Sequence, residues 1–309
     1  MRAARLAERA LSGLYVDVGG GEEDSVFLAG SGRSGTTWLA EALCARGGCR
    51  LVFEPFFPGR VGIVHHFSSR QYLRPGDIRP EYLEPARAIV TGGVRDRWID
   101  RFHKSFVARR RVIKDIRANL LLGWLHHNFP EMPLILVIRH PCAVAASRLS
   151  LGWRANLEEV LSQQELLEDF LWPFEREIRR AGTPFERHVF LWCVDNYVPL
   201  VQFGPDELQV VFYEELLSDP ENALARLFRA LGEERPPDRV LRSLRRPSAT
   251  RFPVGAGKVR VSAAEFGRAA RILSLFGLAG IYDEAGRPDR AELVRFMQGE
   301  VTFRRAGAK

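Results

Sequence analysis

Short apolar runs alternate with longer segments of mixed apolar and charged residues along most of the chain. The short runs predict β-strands at 25–29, 50–53, 88–91, 111–114, 134–139 and 208–212. The longer segments predict helices at 36–45, 95–108, 117–129, 142–151, 157–180, 185–203, 221–231, 262–275 and 291–298. Because strands that alternate with helices form parallel βαβ units, the pattern predicts an α/β three-layer sandwich with a central parallel sheet.

The length of 309 residues and the apolar content of 46% support one large domain with a substantial core. This composition excludes intrinsic disorder and collagen-like repeats. We predict an N-terminal extension at 1–21, one domain at 22–300 and a C-terminal tail at 301–309. We predict an ordered insertion at 55–87, a segment that is rich in proline, arginine and aromatic residues and has no clear periodicity.

No run of about 18 uncharged apolar residues occurs, which argues against a membrane span. Residues 1–18 mix charged and apolar residues and lack the apolar core of a secretory signal, so we expect no export. The four cysteines show no CxxC spacing. Together these features predict a cytoplasmic protein with reduced thiols.

The net charge of +7 indicates an anionic partner, which composition leaves open between a nucleotide, a sulfated product, nucleic acid and a lipid surface. Only four of the 45 basic residues are lysine. A GC-rich genome explains this arginine bias equally well, so basicity alone does not identify the partner.

A glycine-rich loop follows the first predicted strand and opens a helix, with the sequence GSGRSGTTW at 30–38. Backbone N–H groups and the positive end of the helix would converge there on a phosphate. Gly30 and Gly35 fit the Walker pattern, but Thr36 replaces its lysine, which argues against ATP hydrolysis. Arg33 instead places a cation inside the loop. The alternative is a plain glycine turn capped by threonine.

A second strand-to-helix switch has the sequence RHPCAVAAS at 139–147. Arg139 leaves the most apolar strand, and Ser147 lies two turns into the helix that follows. A guanidinium and a hydroxyl so placed can bind one phosphate group. Alone, this segment is equally consistent with a capping turn.

These two motifs resemble those of the sulfotransferases that use 3′-phosphoadenosine-5′-phosphosulfate (PAPS). The resemblance implies a P-loop NTPase-like sulfotransferase fold, with the first loop on the 5′-phosphosulfate and Arg139 and Ser147 on the 3′-phosphate. The segment 211–220 is similar to the family segment that supplies a tyrosine to the adenine pocket, although a core tyrosine is the alternative. The residues so assigned to the donor are Gly32, Arg33, Ser34, Gly35, Thr36, Thr37, Trp38, Arg139, Ser147 and Tyr213.

The resemblance also implies the catalytic groups, which we assign to Glu54, Arg33 and Lys114. Glu54 lies in a Phe-Glu-Pro stretch similar to that of carbohydrate sulfotransferases and would be the general base. A loop glutamate paired with arginine is the alternative, and His65 and His66 are competing bases. Lys114 matches a family lysine near the bridging oxygen, and no metal is required.

The basic segment 246–261 corresponds to the place where relatives close over the 3′-phosphate. Which of Arg251, Lys258 or Arg260 contacts the donor stays open.

The function we expect is sulfuryl transfer from PAPS to an acceptor hydroxyl on a sugar, glycolipid or glycosylated metabolite. A P-loop nucleotide kinase or NTPase and a non-catalytic nucleotide-binding protein are the alternatives. The expected partner is a hydroxyl-bearing small molecule, glycan or lipid, and no nucleic acid is expected. Phe102, Phe106 and the neighbouring arginines could equally shape a pocket for an aromatic acceptor or approach an anionic membrane. The oligomeric state stays open.

Overall fold

The computed structural model describes residues 15–103, 105–246, 248 and 260–300. Its strands are β1 Val16–Asp17, β2 Ser25–Ala29, β3 Cys49–Phe53, β4 Val107–Ala108, β5 Arg110–Asp115, β6 Leu134–Ile138 and β7 Gln209–Phe212. Its α-helices are α1 Thr36–Cys44, α2 Pro80–Val90, α3 Leu122–Asn128, α4 Pro141–Ser150, α5 Glu158–Leu161, α6 Gln164–Leu166, α7 Glu175–Arg179, α8 Pro184–Gln202, α9 Tyr213–Ser218, α10 Pro220–Ala230, α11 Asp238–Leu244, α12 Ala263–Leu275 and α13 Arg290–Met297.

The main sheet has five strands in the order β3-β5-β2-β6-β7, and every pairing is parallel. Successive side chains of one strand point to opposite faces of a sheet. Accordingly, Phe27 of β2 packs into one apolar core with helices α3, α4, α8 and α12. Its neighbour Leu28 packs into a second core with α1, α10 and α11. The predicted α/β three-layer sandwich is therefore confirmed.

Two predicted elements are wrong. Residues 88–91 do not form a strand, because the apolar run Ala88–Val90 ends helix α2, which begins with Pro80 at its first turn. In place of the helix predicted at 95–108, the described residues 95–103 and 105–108 form turns, irregular segments and the short strand β4. Local polar contacts favour those turns, since the Asp96 carboxylate accepts the N–H of Trp98.

The long helical segment predicted at 157–180 is broken into short pieces. Between α6 and α7 it contains one π-helical turn, Leu167–Leu171, and one 3₁₀ turn, Trp172–Phe174. Pro173 lies inside the second turn, where its missing N–H interrupts the helical hydrogen-bond ladder.

The end of the predicted N-terminal extension contacts the main domain. Strand β1 pairs in parallel with β4. Asp17 of β1 accepts hydrogen bonds from Arg50 at 3.3 Å and from Arg111 at 2.8 Å, and both guanidinium groups are buried. Asp17 thus gives two buried arginines an anionic partner.

Cys44 and Cys49 form a disulfide, so the prediction of four reduced thiols is wrong for this pair. The turn between them contains Gly47 and Gly48, both with positive φ, and brings the two Cα atoms within 5.1 Å. Cys142 and Cys193 are free and buried.

None of the helices in the described ranges is long and apolar enough to cross a bilayer.

Candidate active site

A cavity of about 610 Å³ lies at the carboxyl ends of the parallel strands, where open α/β sheets bind their ligands. Its lining includes the loop after β2, the ends of β3 and β5, and the first residues after β6 and β7. Nine of the predicted site residues line it: Arg33, Gly35, Thr36, Thr37, Trp38, Glu54, Lys114, Arg139 and Tyr213. Gly32, Ser34 and Ser147 lie behind this wall, outside the described lining.

The glycine-rich loop has the backbone geometry of a tight phosphate cradle. Gly35 is the N-cap of α1 and has a φ of +93°, and Arg33 has a φ of +82°. Because Arg33 is not glycine, its positive φ strains the backbone, and such strain concentrates at functional sites. Ser34 is fully buried, and its Oγ has no hydrogen-bond partner among the described residues. The loop therefore holds a buried hydroxyl that no described group satisfies.

Substituting Gly35 with alanine should destabilise the loop more than the same change at another positive-φ glycine. A Cβ at Gly35 would lie 2.4 Å from Cδ2 of Tyr213, in addition to its backbone strain. At Gly232, where φ is +76° and nothing lies within 4 Å, only the strain of about 1–2 kcal/mol applies. Urea denaturation of Gly35→Ala and Gly232→Ala tests this. Equal losses in the free energy of unfolding would show that the Tyr213 ring moves aside at no cost in stability.

A buried ionic network supports the same loop from behind. The Asp195 carboxylate on α8 accepts a hydrogen bond from Ser31 Oγ at 2.8 Å and another from Arg70 Nε at 3.0 Å. Arg148 of α4 donates to the carbonyl of Gly32 at 3.0 Å. Burial lowers the pKa of Arg148 to about 10, so it stays protonated at neutral pH. Sequence reasoning missed this network, although a polar Asp195 inside a largely apolar helix was a usable signal.

We expect Asp195→Asn to lower the free energy of unfolding by about 3–5 kcal/mol, because it removes the charged partner of buried arginines. Asp195 is 1% exposed, and Arg70 would keep only Glu159 as an anionic partner. Asp283→Asn is the matched control, because Asp283 pairs with Arg287 on the surface. A loss no larger than that of the control would exclude a supporting role for the network.

The structure brings the two predicted phosphate motifs together. Arg33 Nε donates to Ser147 Oγ at 3.1 Å, and an Arg139 guanidinium nitrogen donates to the Arg33 carbonyl at 3.0 Å. Arg139 also lies over the Tyr213 ring, 4.5 Å from its centroid. Burial and the nearby charge of Arg139 lower the pKa of Arg33. Arg33 was predicted as a catalytic group together with Lys114. In the structure it contacts Arg139 and Ser147, the residues predicted to bind the 3′-phosphate.

Two aromatic rings flank the donor end of the cavity. Trp38 and Tyr213 meet edge to face with centroids 5.7 Å apart, and Trp38 Nε1 donates to the carbonyl of Arg246 at 3.1 Å. Both rings line the cavity, so Tyr213 is not a core residue.

Of the candidate donor contacts in the basic segment 246–261, Arg260 is exposed, while Arg251 and Lys258 lie outside the described residues.

Glu54 is the centre of a compact ionic group at the other end of the cavity. Its Oε1 accepts from Lys114 Nζ at 2.6 Å and its Oε2 from Arg117 at 2.7 Å. Burial raises the pKa of Glu54, but attraction to Lys114 and Arg117 outweighs burial and holds the pKa below the ordinary value. Burial lowers the pKa of Lys114, and Glu54 opposes that change. Glu54 is therefore ionised at neutral pH, and its φ of +44° marks a strained backbone.

Asp115 fixes this turn through the backbone and does not form a described salt bridge. It accepts the N–H of Phe56 at 2.9 Å and the N–H of Arg117 at 2.7 Å. Burial, and next the charge of Glu54, raise the pKa of Asp115.

The competing bases His65 and His66 are exposed, and their tilted rings contact each other outside the described cavity lining. Glu54 is the only carboxylate among the described lining residues.

Comparison with known proteins identifies the family. Residues 25–237, more than half of the chain, match the model described as "Sulfotransferase family". The nodulation protein NoeE of Sinorhizobium fredii is 28% identical over 221 residues, which cover 67% of this chain and 49% of that protein. The chain thus spans about half the length of the curated relative it matches.

Solved structures with a similar architecture include a sulfotransferase from Alicyclobacillus acidocaldarius, with a TM-score of 0.45 and 16% identity over 86% of this chain and 97% of that one. Another is mouse sulfotransferase SULT7A1 complexed with PAP, with a TM-score of 0.36 and 19% identity over 77% and 68% of the two chains. By the extent of the family match, this chain belongs to the sulfotransferase family.

Proposed function

We propose that the protein transfers the sulfuryl group of PAPS to an acceptor hydroxyl. The observation that carries this proposal is the content of one cavity: an anion cradle at its donor end and the Glu54–Lys114 pair at its other end. Family membership supports the same reaction.

The donor-end residues match the chemistry of a doubly phosphorylated adenosine. Arg33, Arg139 and the N-terminus of α1 supply cations and N–H donors for phosphate. Ser34 of the same loop is buried outside the cavity lining, and its Oγ has no hydrogen-bond partner among the described residues. The faces of Trp38 and Tyr213 suit a planar base. When bound, the donor would supply the sulfuryl group that is transferred.

Glu54 would accept the proton of the acceptor hydroxyl, while Lys114 and Arg33 balance the negative charge on the departing phosphate. Lys114 is bound to Glu54 through Oε1. If Lys114 turns toward an anionic donor, Glu54 loses its nearest cation and becomes more basic. The ion pair would thus keep Glu54 a weak base until the donor is in place.

We propose a sugar hydroxyl as the acceptor group. The Phe53-Glu54-Pro55 stretch resembles that of carbohydrate sulfotransferases, and the walls beside Glu54 carry aromatic rings that suit a sugar face. A glycan, a glycolipid and a glycosylated metabolite all present such a hydroxyl.

Transfer of ³⁵S from labelled PAPS to a panel of glycosides, glycolipids and phenols tests the proposal. We expect a labelled glycoside and saturable binding of 3′-phosphoadenosine 5′-phosphate. Tight nucleotide binding without any labelled product would favour a non-catalytic binder. Magnesium-dependent phosphate release from ATP would favour the kinase or NTPase alternative.

A further inference from the structure

An aromatic wall extends from Glu54 along the acceptor side of the cavity. Trp98 Nε1 donates to the Glu54 carbonyl at 3.3 Å, and its ring meets Phe53 with centroids 5.6 Å apart. Phe53 in turn meets Phe102 at 4.8 Å. All three rings line the cavity, so the wall begins at the predicted base and continues toward the surface.

Arg101 lies against all three rings. Its Cζ is 4.5 Å from the centroid of Trp98, 5.0 Å from that of Phe102 and 5.3 Å from that of Phe53. The ammonium group of Lys114 approaches Phe53 to 4.5 Å, so both cations contact the same ring. Arg101 is therefore held beside the transfer site while remaining exposed.

The charge of Arg101 is not matched by a carboxylate within the described part of the chain, where none lies within salt-bridge distance of it. Arg117, the other arginine on this side, is bound to Glu54. A cation–π contact holds a guanidinium in place but leaves its in-plane N–H donors available. Arg101 thus presents a fork of donors that suits an oxyanion.

The cavity as a whole carries more positive charge than the donor side explains. Among its described lining residues, seven cations face the single carboxylate Glu54: Arg33, Arg101, Lys114, Arg117, Arg139, Arg245 and Arg246. Arg33 and Arg139 belong to the phosphate cradle. Arg245 is the C-cap of α11 and directly precedes Arg246, whose carbonyl accepts from Trp38 at the donor end. Only Arg101 is both on the acceptor side and without an anionic partner among the described residues.

We propose that the acceptor is an acidic glycoside, with an anionic group that binds Arg101 and a ring face that packs on Trp98 and Phe102. This inference rests on the proposed function, because it names the acceptor class of the same site. A carboxylate on the sugar next to the reacting hydroxyl would satisfy both contacts.

The test compares two probes that differ only at sugar carbon 6, phenyl β-D-glucuronide and phenyl β-D-glucoside. Their affinities are measured by calorimetry in the presence of saturating 3′-phosphoadenosine 5′-phosphate. For the unmodified protein we expect the glucuronide to bind about tenfold tighter or more, the effect of one charged hydrogen bond. In Arg101→Gln this ratio should approach one.

Arg60→Gln is the matched control. Arg60 also lies over Trp98, at 5.4 Å, and is exposed, but it is not part of the described cavity lining. The ratio of the affinities for the glucuronide and the glucoside should be unchanged in Arg60→Gln. Arg101→Lys, which keeps the charge, should retain part of the preference for the glucuronide. Thermal melting checks that each variant is folded.

Equal affinity for the two probes, or no binding of either at millimolar concentration, would overturn the acidic acceptor. A ratio that survives in Arg101→Gln would remove Arg101 from the recognition of the acid. Failure of the nucleotide itself to bind is a separate result, because it rejects the proposed donor before any acceptor is added.

Discussion

Glu54→Gln should lower kcat by about 100-fold or more, the scale of losing a general base. The amide cannot take up the acceptor proton, yet it has nearly the shape of the carboxylate and can still accept from Lys114. Affinity for 3′-phosphoadenosine 5′-phosphate should be retained, because Glu54 lies at the other end of the cavity from Arg139 and Tyr213. Transfer of ³⁵S to the best acceptor of the panel measures kcat, and calorimetry measures the affinity.

Loss of folding must be separated from loss of the base, because Lys114 is 2% exposed and would lose its charged partner. Glu54→Gln/Lys114→Met removes both charges and controls for this. The double variant should melt at a higher temperature than Glu54→Gln if the unpaired Lys114 is what lowers the stability of the single variant. Unchanged turnover in folded Glu54→Gln would exclude Glu54 as the base.

The pH profile gives a second readout for the same residue. Because the pKa of Glu54 is held below 4.5, the ordinary value, the carboxylate is already available throughout the neutral range. The acid limb of kcat/KM for PAPS, which reports the enzyme before the donor binds, should therefore lie below the ordinary glutamate value wherever the protein remains folded. An acid limb near the histidine value of about 6.5 would point to a different proton acceptor.

Arg139→Ala should weaken binding of 3′-phosphoadenosine 5′-phosphate by about 1.5–3 kcal/mol, roughly 10- to 150-fold. The change removes a guanidinium that holds the Arg33 carbonyl and lies on the Tyr213 ring. Adenosine 5′-monophosphate, which lacks the 3′-phosphate, should lose much less affinity. Calorimetry with both nucleotides measures the difference.

Arg229→Ala provides the control, because Arg229 is exposed on α10 and outside the described cavity lining. It removes one positive charge without altering the cradle. If Arg139→Ala weakens both nucleotides equally, Arg139 acts on the 5′ end or on the loop, and our placement of the 3′-phosphate is wrong.

The local sequence pattern was sufficient to predict the strands of the main sheet and the functional residues that follow them. The run at 134–138 is continuously apolar because β6 is buried on both faces, and the strand appears where the pattern predicts it. Glu54, Lys114, Arg139 and Tyr213 line one cavity because the carboxyl ends of parallel strands share one edge of the sheet. Topology alone therefore brings together side chains that are far apart in the sequence.

Contacts between distant segments could not be predicted in the same way. Arg70 and Asp195 are separated by 125 residues, and neither the ion pair between them nor their support of the glycine loop has a local signature. Arg101 lies in a stretch that was predicted to be helical, so its position over three rings was not foreseen. The Cys44–Cys49 bridge depends on a turn of two positive-φ glycines, which spacing alone does not reveal.

The left-handed backbone at Arg33 has a consequence for attempts to make the protein more robust. Glycine would relax about 1–3 kcal/mol of conformational strain there, so selection for thermal tolerance alone would favour it. Glu54 has the same kind of backbone strain, but glycine at that position would leave the buried Lys114 without its carboxylate partner. At Arg33 the gain would delete one of the charged groups on which the proposed reaction depends, so durability and turnover are opposing objectives there.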